Sequence, residues 1–530
     1  MDYLKLLNSE QLEACLHDQG PALVLAGPGS GKTRVLTSRV ANIIDTEKAN
    51  EHEILSITFT NKAAKEMKLR TQQLSNKQLN WVGTFHSICS KFLRIEAEHA
   101  GLKPNFTIYD TQDSNSVIKE VMQDLNIDPK QVKPQAILGY ISKCKTELKN
   151  ADDSKKEINS QFTQFGNDVY KVYEDVLNKN NALDFGDLIF KAVKMFSTQK
   201  EITRKYNEKF KYIMVDEYQD TNKAQYDLTK LLSLLRKNIY VVGDMAQSIY
   251  SWRGADHRNI LNFKNDFKSH KTYTLNQNYR STKNILDAAK SVIENNKDHI
   301  KMDLWTDKKD NTKLKLHEAN NEWGEGDYVV KNIQEEALEY NKTAILYRTN
   351  SQSRVIEEQF VKNSIPYQII GGFKFYERKE VKDLISILKV LDNPIDAVSW
   401  QRIINVPPKG IGKVTFEKIR NNNFNLEEIN AKTKVDFIGL IERKDSQKVK
   451  DLLLEVIDKT GYLKYIKGLN EDEETINTRL DNIKELMSVT EQYETLSDFL
   501  QQVALVEAGD SNQDTKKVTL MTLHSAKGLE

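Results

Sequence analysis

The stretch "VLAGPGSGKTRVL", residues 24–36, decides how the rest of the chain is read. An apolar run ends in Ala26-Gly27-Pro28-Gly29-Ser30-Gly31-Lys32-Thr33, and an amphipathic segment starting at Arg34 follows. Strand, glycine-rich turn and helix is the order a phosphate-binding loop requires, with Ala26 in place of the usual first glycine. Gly27, Gly29 and Gly31 let successive backbone N–H groups turn inward on phosphate oxygens. Lys32 adds a point charge, and Thr33 offers a hydroxyl to Mg²⁺ at a helix N-terminus. The reading predicts a nucleotide site for ATP with Mg²⁺.

Working outward, "ILSITFT" (54–60), "YIMVDE" (212–217) and "IYVVGD" (239–244) are short apolar runs ending in polar or glycine clusters, as buried parallel strands do. Alternating with helical stretches, they predict an α/β fold with a doubly wound parallel sheet and ligands at the strand carboxyl ends. "MVDEYQD" brings Asp216 and Glu217 to one such end. One carboxylate can hold Mg²⁺ there, and the next can accept a proton from an attacking water. A second set of strand-like runs, "KTYTLNQ", "KLKLHEA", "TAILYRT", "YQIIGG" and "KKVTLMTLH", predicts a second α/β unit beginning near 270. Residues 91–200 and about 378–510 read as helical insertions.

Composition narrows the class. A chain of 530 residues exceeds what one core usually supports, so several domains are expected. Lys and Arg number 77 against 76 Asp and Glu, so a nucleic-acid contact would come from local placement rather than a global field. The three cysteines, Cys15, Cys89 and Cys144, are too sparse for a zinc pair or a disulfide framework, which fits a reducing cytoplasm. No signal-peptide core and no membrane-length apolar run is visible.

The ordered motifs resemble those of the UvrD/Rep/PcrA family of superfamily 1 DNA helicases. "LNSEQ", "AGPGSGKT", "ITFTNKAAKEM", "GTFHSIC", "NALDFGDLI", "VDEYQDTN", "VGDMAQSIYSWRGAD", "LNQNYRST", "AILYRTNSQSR" and "LMTLHSAKGLE" follow one another as the family's motifs do. The resemblance implies two RecA-like motor domains, each split by a helical insert, with boundaries at 1–90, 91–190, 191–270, 271–377, 378–510 and 511–530. It implies that Gln11 reads the adenine edge, Tyr279 stacks on the base and Arg34 helps hold the nucleotide. Gln247 would sense the γ-phosphate from one lobe, Arg280 would reach it from the other, and Glu530 would lie near the sugar.

On the DNA side, the resemblance implies stacking by Phe59, Tyr250, Trp252 and Phe185. Strand contacts would come from Thr60, Asn61, His86, Arg348, Asn350, Thr522 and His524. "PPKGIGK", with Gly410 and Gly412, reads either as a duplex-contacting element or as an inter-helix turn. Two positions depart from the family pattern: Ala246 stands where motif III carries an acid, and Gly186 replaces the second Asp of "DFDDL".

The expected activity is 3′-to-5′ single-stranded DNA translocation and unwinding driven by ATP, in repair or replication, at single-strand/duplex junctions and with accessory proteins. The sequence ends at Glu530, ahead of the family's motif VI, so the second motor domain is expected to be incomplete. A nucleotide-dependent DNA-binding module with little hydrolysis is therefore the alternative.

Overall fold

The computed structural model describes every residue except 1, 130, 252–253, 298–299, 311, 350–351, 371–375, 377, 470–472, 492, 507–515 and 529–530. Trp252, Asn350 and Glu530 therefore lie outside the described residues. In chain order the strands are β1 (Ala22–Ala26), β2 (Ile54–Thr58), β3 (Trp81–Thr84), β4 (Thr107–Tyr109), β5 (Ala182–Asp184) and β6 (Tyr212–Val215). They continue with β7 (Ile239–Gly243), β8 (Lys271–Leu275), β9 (Ala344–Tyr347), β10 (Tyr367–Ile370) and β11 (Val518–Thr522). The chain divides into two compact units, one of residues 1–88, 199–372 and 509–530, the other of 89–198 and 373–508.

The first unit holds a six-stranded parallel sheet in the order β3-β2-β6-β7-β1-β8. β1, β2, β6 and β7 are buried along their whole length, which is why they read as mostly apolar runs, with Ser56 and Thr58 the polar members of β2. Ala22, Val24 and Ala26 on one face of β1 pack with Val35, Leu36 and Val40 of the following helix, so the loop between is stretched across the sheet's carboxyl edge. The sequence reading opens the second α/β unit near 270. The structure instead pairs β8 parallel with β1, from Ala22↔Lys271 to Ala26↔Leu275, so the first sheet extends through Leu275.

A second parallel sheet, β10-β11-β9, packs Val518 and Leu520 against Val330, Ile333, Ile356 and Phe360 of the helices Glu322–Glu335 and Ser353–Lys362. "KLKLHEA" forms no strand: residues 313–318 are exposed, and alternation without a partner to bury one face leaves nothing to hold it.

The second unit is mainly helical, with the short parallel pair β4 and β5. Its helix Lys379–Asp392 is buried at every position from Glu380 to Leu391 despite four charged residues in that span besides its apolar ones. Each charge is matched: Glu380 with Arg479 (2.7 Å), Lys382 with Asp110, Asp383 with Arg402 (2.7 Å) and Lys389 with Asp113 (3.1 Å). Buried charges without such partners would each cost several kcal/mol, on the order of 3–5 when one member of a pair is lost. Two of these partners come from residues 89–198, so the two chain segments read as separate insertions share one body. The helix Phe185–Thr198 lies in this body as well, through Phe196 on Phe92 at 5.1 Å, which moves the break from 190/191 to 198/199. Among the described residues no helix is long and apolar enough to cross a membrane.

Candidate functional site

The loop after β1 has the backbone its glycines allow. Gly29 and Gly31 take φ of +65° and +86°, and Gly31 starts the helix Lys32–Asp45 with no side-chain cap, which leaves that helix's first N–H groups for a ligand. Ser30 closes the turn by donating its hydroxyl to the Gly27 carbonyl at 2.7 Å. Gln11 is buried and donates Nε2 to the Ser30 carbonyl at 2.8 Å, while its Oε1 accepts from the Asn8 N–H at 3.1 Å. The residue expected to read adenine thus also buttresses the loop. Lys32 and Thr33 are half-buried and Arg34 is exposed.

Asp216 and Glu217 follow β6. Burial pushes the Asp216 carboxyl up to about 7, with the Glu217 charge adding to it and Lys32 opposing. Glu217 is desolvated too, yet Lys32, Lys527, the Gln219 amide and Arg280 together hold it below the usual carboxylate range. The result is one carboxyl that a cation would ionise and one already ionised at neutral pH. Thr33 and Asp216 present a hydroxyl and a carboxylate, a hard oxygen set that suits Mg²⁺.

Gln219, absent from the expected site, ties this strand end to the next. Its Nε2 donates to Glu217 at 2.5 Å, and its Oε1 accepts from the Asp244 N–H at 2.9 Å. Gln247 donates Nε2 to Asp244 at 2.9 Å, so its side chain is held against the same turn, and Ala246 puts no carboxylate there. Only the position of Gln219 within "DEYQD" hinted at it.

Tyr279 and Arg280 follow β8 and are pinned directly to the phosphate loop, Tyr279 N–H donating to the Gly29 carbonyl at 2.9 Å. The expectation that Arg280 arrives from the second lobe is therefore corrected: its strand belongs to the first sheet. The Tyr279 hydroxyl sits between Asn8 Nδ2 and Gln277 Oε1, at 2.8 Å from each, with the ring 41 % exposed and open to a stacking partner.

From the second sheet, the turn after β11 reaches the same place. Lys527 pairs with Asp220 and donates to the Gln247 carbonyl at 2.6 Å. Burial pushes the Asp220 carboxyl up to about 6 against the pull of that ammonium.

The residues expected to touch DNA sit at strand carboxyl ends. Phe59, Thr60 and Asn61 follow β2, His86 follows β3, Tyr250 follows β7, Arg348 follows β9, and Thr522 and His524 close β11. Thr60 and Thr522 cap the helices that follow them, through Ala63 N–H at 3.1 Å and Ser525 N–H at 3.2 Å. Arg348 and His524 approach to 3.5 Å. Tyr250 is buried: its ring stacks on Phe59 at 4.9 Å, Lys527 lies 5.1 Å from its centroid, and its hydroxyl donates to the His524 carbonyl at 3.2 Å. Phe59 is the half-exposed member of that stack.

Phe185 is half-buried at the start of its helix in the second unit. Beside it, a Cβ at Gly186 would lie 3.1 Å from the Lys145 side chain, whose Nζ is enclosed by Glu174 (2.6 Å), Asp184 (2.8 Å) and Asp187 (2.9 Å). Gly410, at φ +73°, and Gly412 are exposed in a turn that Asn405 organises by accepting from the Lys409 and Ile411 N–H groups, and Gly412 leads an uncapped helix, Lys413–Asn421.

Residues 7–268 match the UvrD/REP helicase N-terminal domain, and residues 273–530 match the UvrD-like helicase C-terminal domain. A Staphylococcus epidermidis protein named ATP-dependent DNA helicase PcrA is 46% identical over 99% of this chain and 76% of its own length. Its Staphylococcus aureus namesake is 44% identical over the same shares. With a phosphate loop, a paired-carboxylate strand end and a second parallel sheet reaching both, and with matches along nearly the whole chain, this protein belongs to the UvrD/Rep/PcrA-type family of superfamily 1 helicases.

Proposed function

We propose that this chain is an ATP-dependent DNA helicase and single-stranded DNA translocase, moving 3′ to 5′ in repair or replication in the cytoplasm. It would act at single-strand/duplex junctions alongside accessory proteins. The observation that carries the reading is geometric: the arm bearing Tyr279 and Arg280 bonds the phosphate loop through Tyr279 N–H to the Gly29 carbonyl at 2.9 Å, and Lys527 pairs with Asp220 and donates to the Gln247 carbonyl at 2.6 Å beside the paired-carboxylate strand end.

In this reading the loop N–H groups and Lys32 hold the phosphates, and Thr33 with Asp216 would hold Mg²⁺. A Mg²⁺ held by these two side chains would supply charge neutralisation to the phosphates. Glu217 takes the proton of the attacking water, Arg280 and Gln247 answer the γ-phosphate, and Tyr279, Gln11 and Arg34 hold the rest of the nucleotide. Phe59 offers an aromatic face to a base, with the buried Tyr250 ring stacked behind it as its support rather than as a second open face. Thr60, Asn61, His86, Arg348, Thr522 and His524 track the backbone, and the turn at Gly410 and Gly412 meets duplex phosphate. The helicase activity is supported by likeness to the proteins named ATP-dependent DNA helicase PcrA, and strand polarity and pathway are carried over from the family that the motifs resemble.

The test is Lys32→Ala. It should abolish nucleotide binding and DNA-stimulated hydrolysis while bare single-strand affinity, read by filter binding, stays within a few fold, because the lysine faces phosphate rather than the strand. Equal loss of DNA and nucleotide binding would sink the assignment. Native protein should displace a strand from a 3′-tailed duplex and not from a 5′-tailed one.

A further inference from the structure

Immediately before two residues with assigned roles, Tyr279 and Arg280, stands a third, Asn278, that is 2% exposed and uses its amide in both directions. Its Nδ2 donates to the Pro28 carbonyl of the phosphate loop at 2.5 Å. Its Oδ1 accepts from the N–H groups of Arg280 at 2.9 Å and Ser281 at 2.7 Å, which shapes the turn that carries Arg280. Its main chain is fixed from behind, the N–H donating to the Trp305 carbonyl at 2.7 Å. The next N–H, that of Tyr279, bonds the Gly29 carbonyl. The two segments touch so closely that a Cβ at Gly29 would stand 2.7 Å from Arg280 Cβ and 2.8 Å from Asn278 Nδ2.

Only a short amide meets this demand. Aspartate keeps the acceptor but has no donor for Pro28, leucine has neither, and serine has a single oxygen on a shorter arm where a donor atom and a separate, doubly used acceptor atom are needed. Leaving the half-buried Pro28 carbonyl or the two N–H groups without these partners would loosen the turn. We propose that Asn278 is the positioning residue that locks the arm bearing Tyr279 and Arg280 to the phosphate loop, setting the reach of Arg280 relative to Lys32 and hence the preference for a triphosphate over a diphosphate. This rests on the nucleotide reading above. The arm meets the loop at Gly29, so a shift of the arm moves Arg280 relative to Lys32, and a diphosphate has no γ-phosphate for Arg280 to answer.

The experiment measures binding of a fluorescent ADP and of a non-hydrolysable ATP analogue to the full chain. Asn278→Ala should weaken the analogue about tenfold more than ADP, the size of effect expected when a hydrogen bond to a charged group is misplaced. Asn278→Ser keeps a small, uncharged polar side chain that cannot reach Pro28 and the two N–H groups together, so it should shift the ratio in the same direction and serves if the alanine variant does not fold. In an Arg280→Ala background neither substitution should shift the ratio further. An unchanged ratio in a folded variant, equal losses for both nucleotides, or a shift that persists without Arg280 would each overturn the proposal. Lys32→Ala separates the layers: if it binds nucleotide normally, the nucleotide reading itself is wrong. If it does not bind and the Asn278 ratio stays native, only this inference fails.

Discussion

Gly29 shows how much one hydrogen atom in place of a methyl group decides. Its φ of +65° costs an L-residue roughly 1–2 kcal/mol, and the space a Cβ needs is already taken by Arg280 and Asn278. Arg280 Cβ is close to the backbone and cannot swing away as the tip of a flexible chain could. Gly29→Ala is therefore expected to push the 278–281 arm off the loop. Thermal denaturation should show a modest loss of stability, about the strain figure, while titration with a fluorescent ATP analogue should show at least a tenfold loss of affinity. An alanine variant with native affinity would mean that the arm and the loop are not in contact when nucleotide binds.

At the scale of elements, the buried strands were legible because a strand covered on both faces is mostly apolar, as β1, β6 and β7 are and as β2 is apart from Ser56 and Thr58. The motifs at their carboxyl ends were legible for the same reason, since loop follows strand. What could not be read was pairing at a distance. β8 joins the first sheet through β1, some 250 residues earlier in the chain, and "KLKLHEA" has a strand's alternation with no sheet to join. Asn278 escaped because its partner, the Pro28 carbonyl, is equally remote and carries no side-chain signature.

The buried Lys145 cluster is a third such case, assembled from the helix Pro134–Thr146, the helix Gln161–Lys179 and the turn after β5. One ammonium faces three carboxyls there, and burial together with the Asp184 charge pushes the Asp187 carboxyl up to about 7. A carboxyl raised in the folded state holds a proton that the unfolded chain releases near pH 4, so its stabilising contribution is full below about 4 and is lost as pH rises through about 7. Asp187→Asn should flatten the fall in melting temperature between pH 5 and 8 relative to the native chain. Lys145→Met, which leaves the acids without their cation, should destabilise by roughly 3–5 kcal/mol. A native pH profile in Asp187→Asn would mean that the proton sits elsewhere.

At the scale of the motor unit, the turn after β11 links strand-contact residues and hydrolysis carboxylates within six residues. Thr522 and His524 stand at the end expected to meet DNA, and Lys527 pairs with Asp220, donates to the Gln247 carbonyl and lowers the Glu217 carboxyl. The Tyr250 hydroxyl closes the loop by binding the His524 carbonyl while its ring stacks on Phe59. A strand that moves Phe59, Tyr250 or His524 therefore reaches Lys527 through this short turn and through the Tyr250 ring, 5.1 Å from the ammonium, and Lys527 is one of the cations that hold the Glu217 carboxyl down. Coupling of this kind requires a physical element that both sites bias, and this turn is one. Lys527→Met keeps the length of the side chain and removes its charge. It should cut the stimulation of ATP hydrolysis by single-stranded DNA at least tenfold, with a smaller change in the rate measured without DNA. Asp220→Asn should show the same loss of stimulation, and the double variant should be no worse than either single one, because both remove the same link. Losses that multiply in the double variant would mean that Lys527 and Asp220 act separately, and would move the coupling to the Tyr250 and His524 contact.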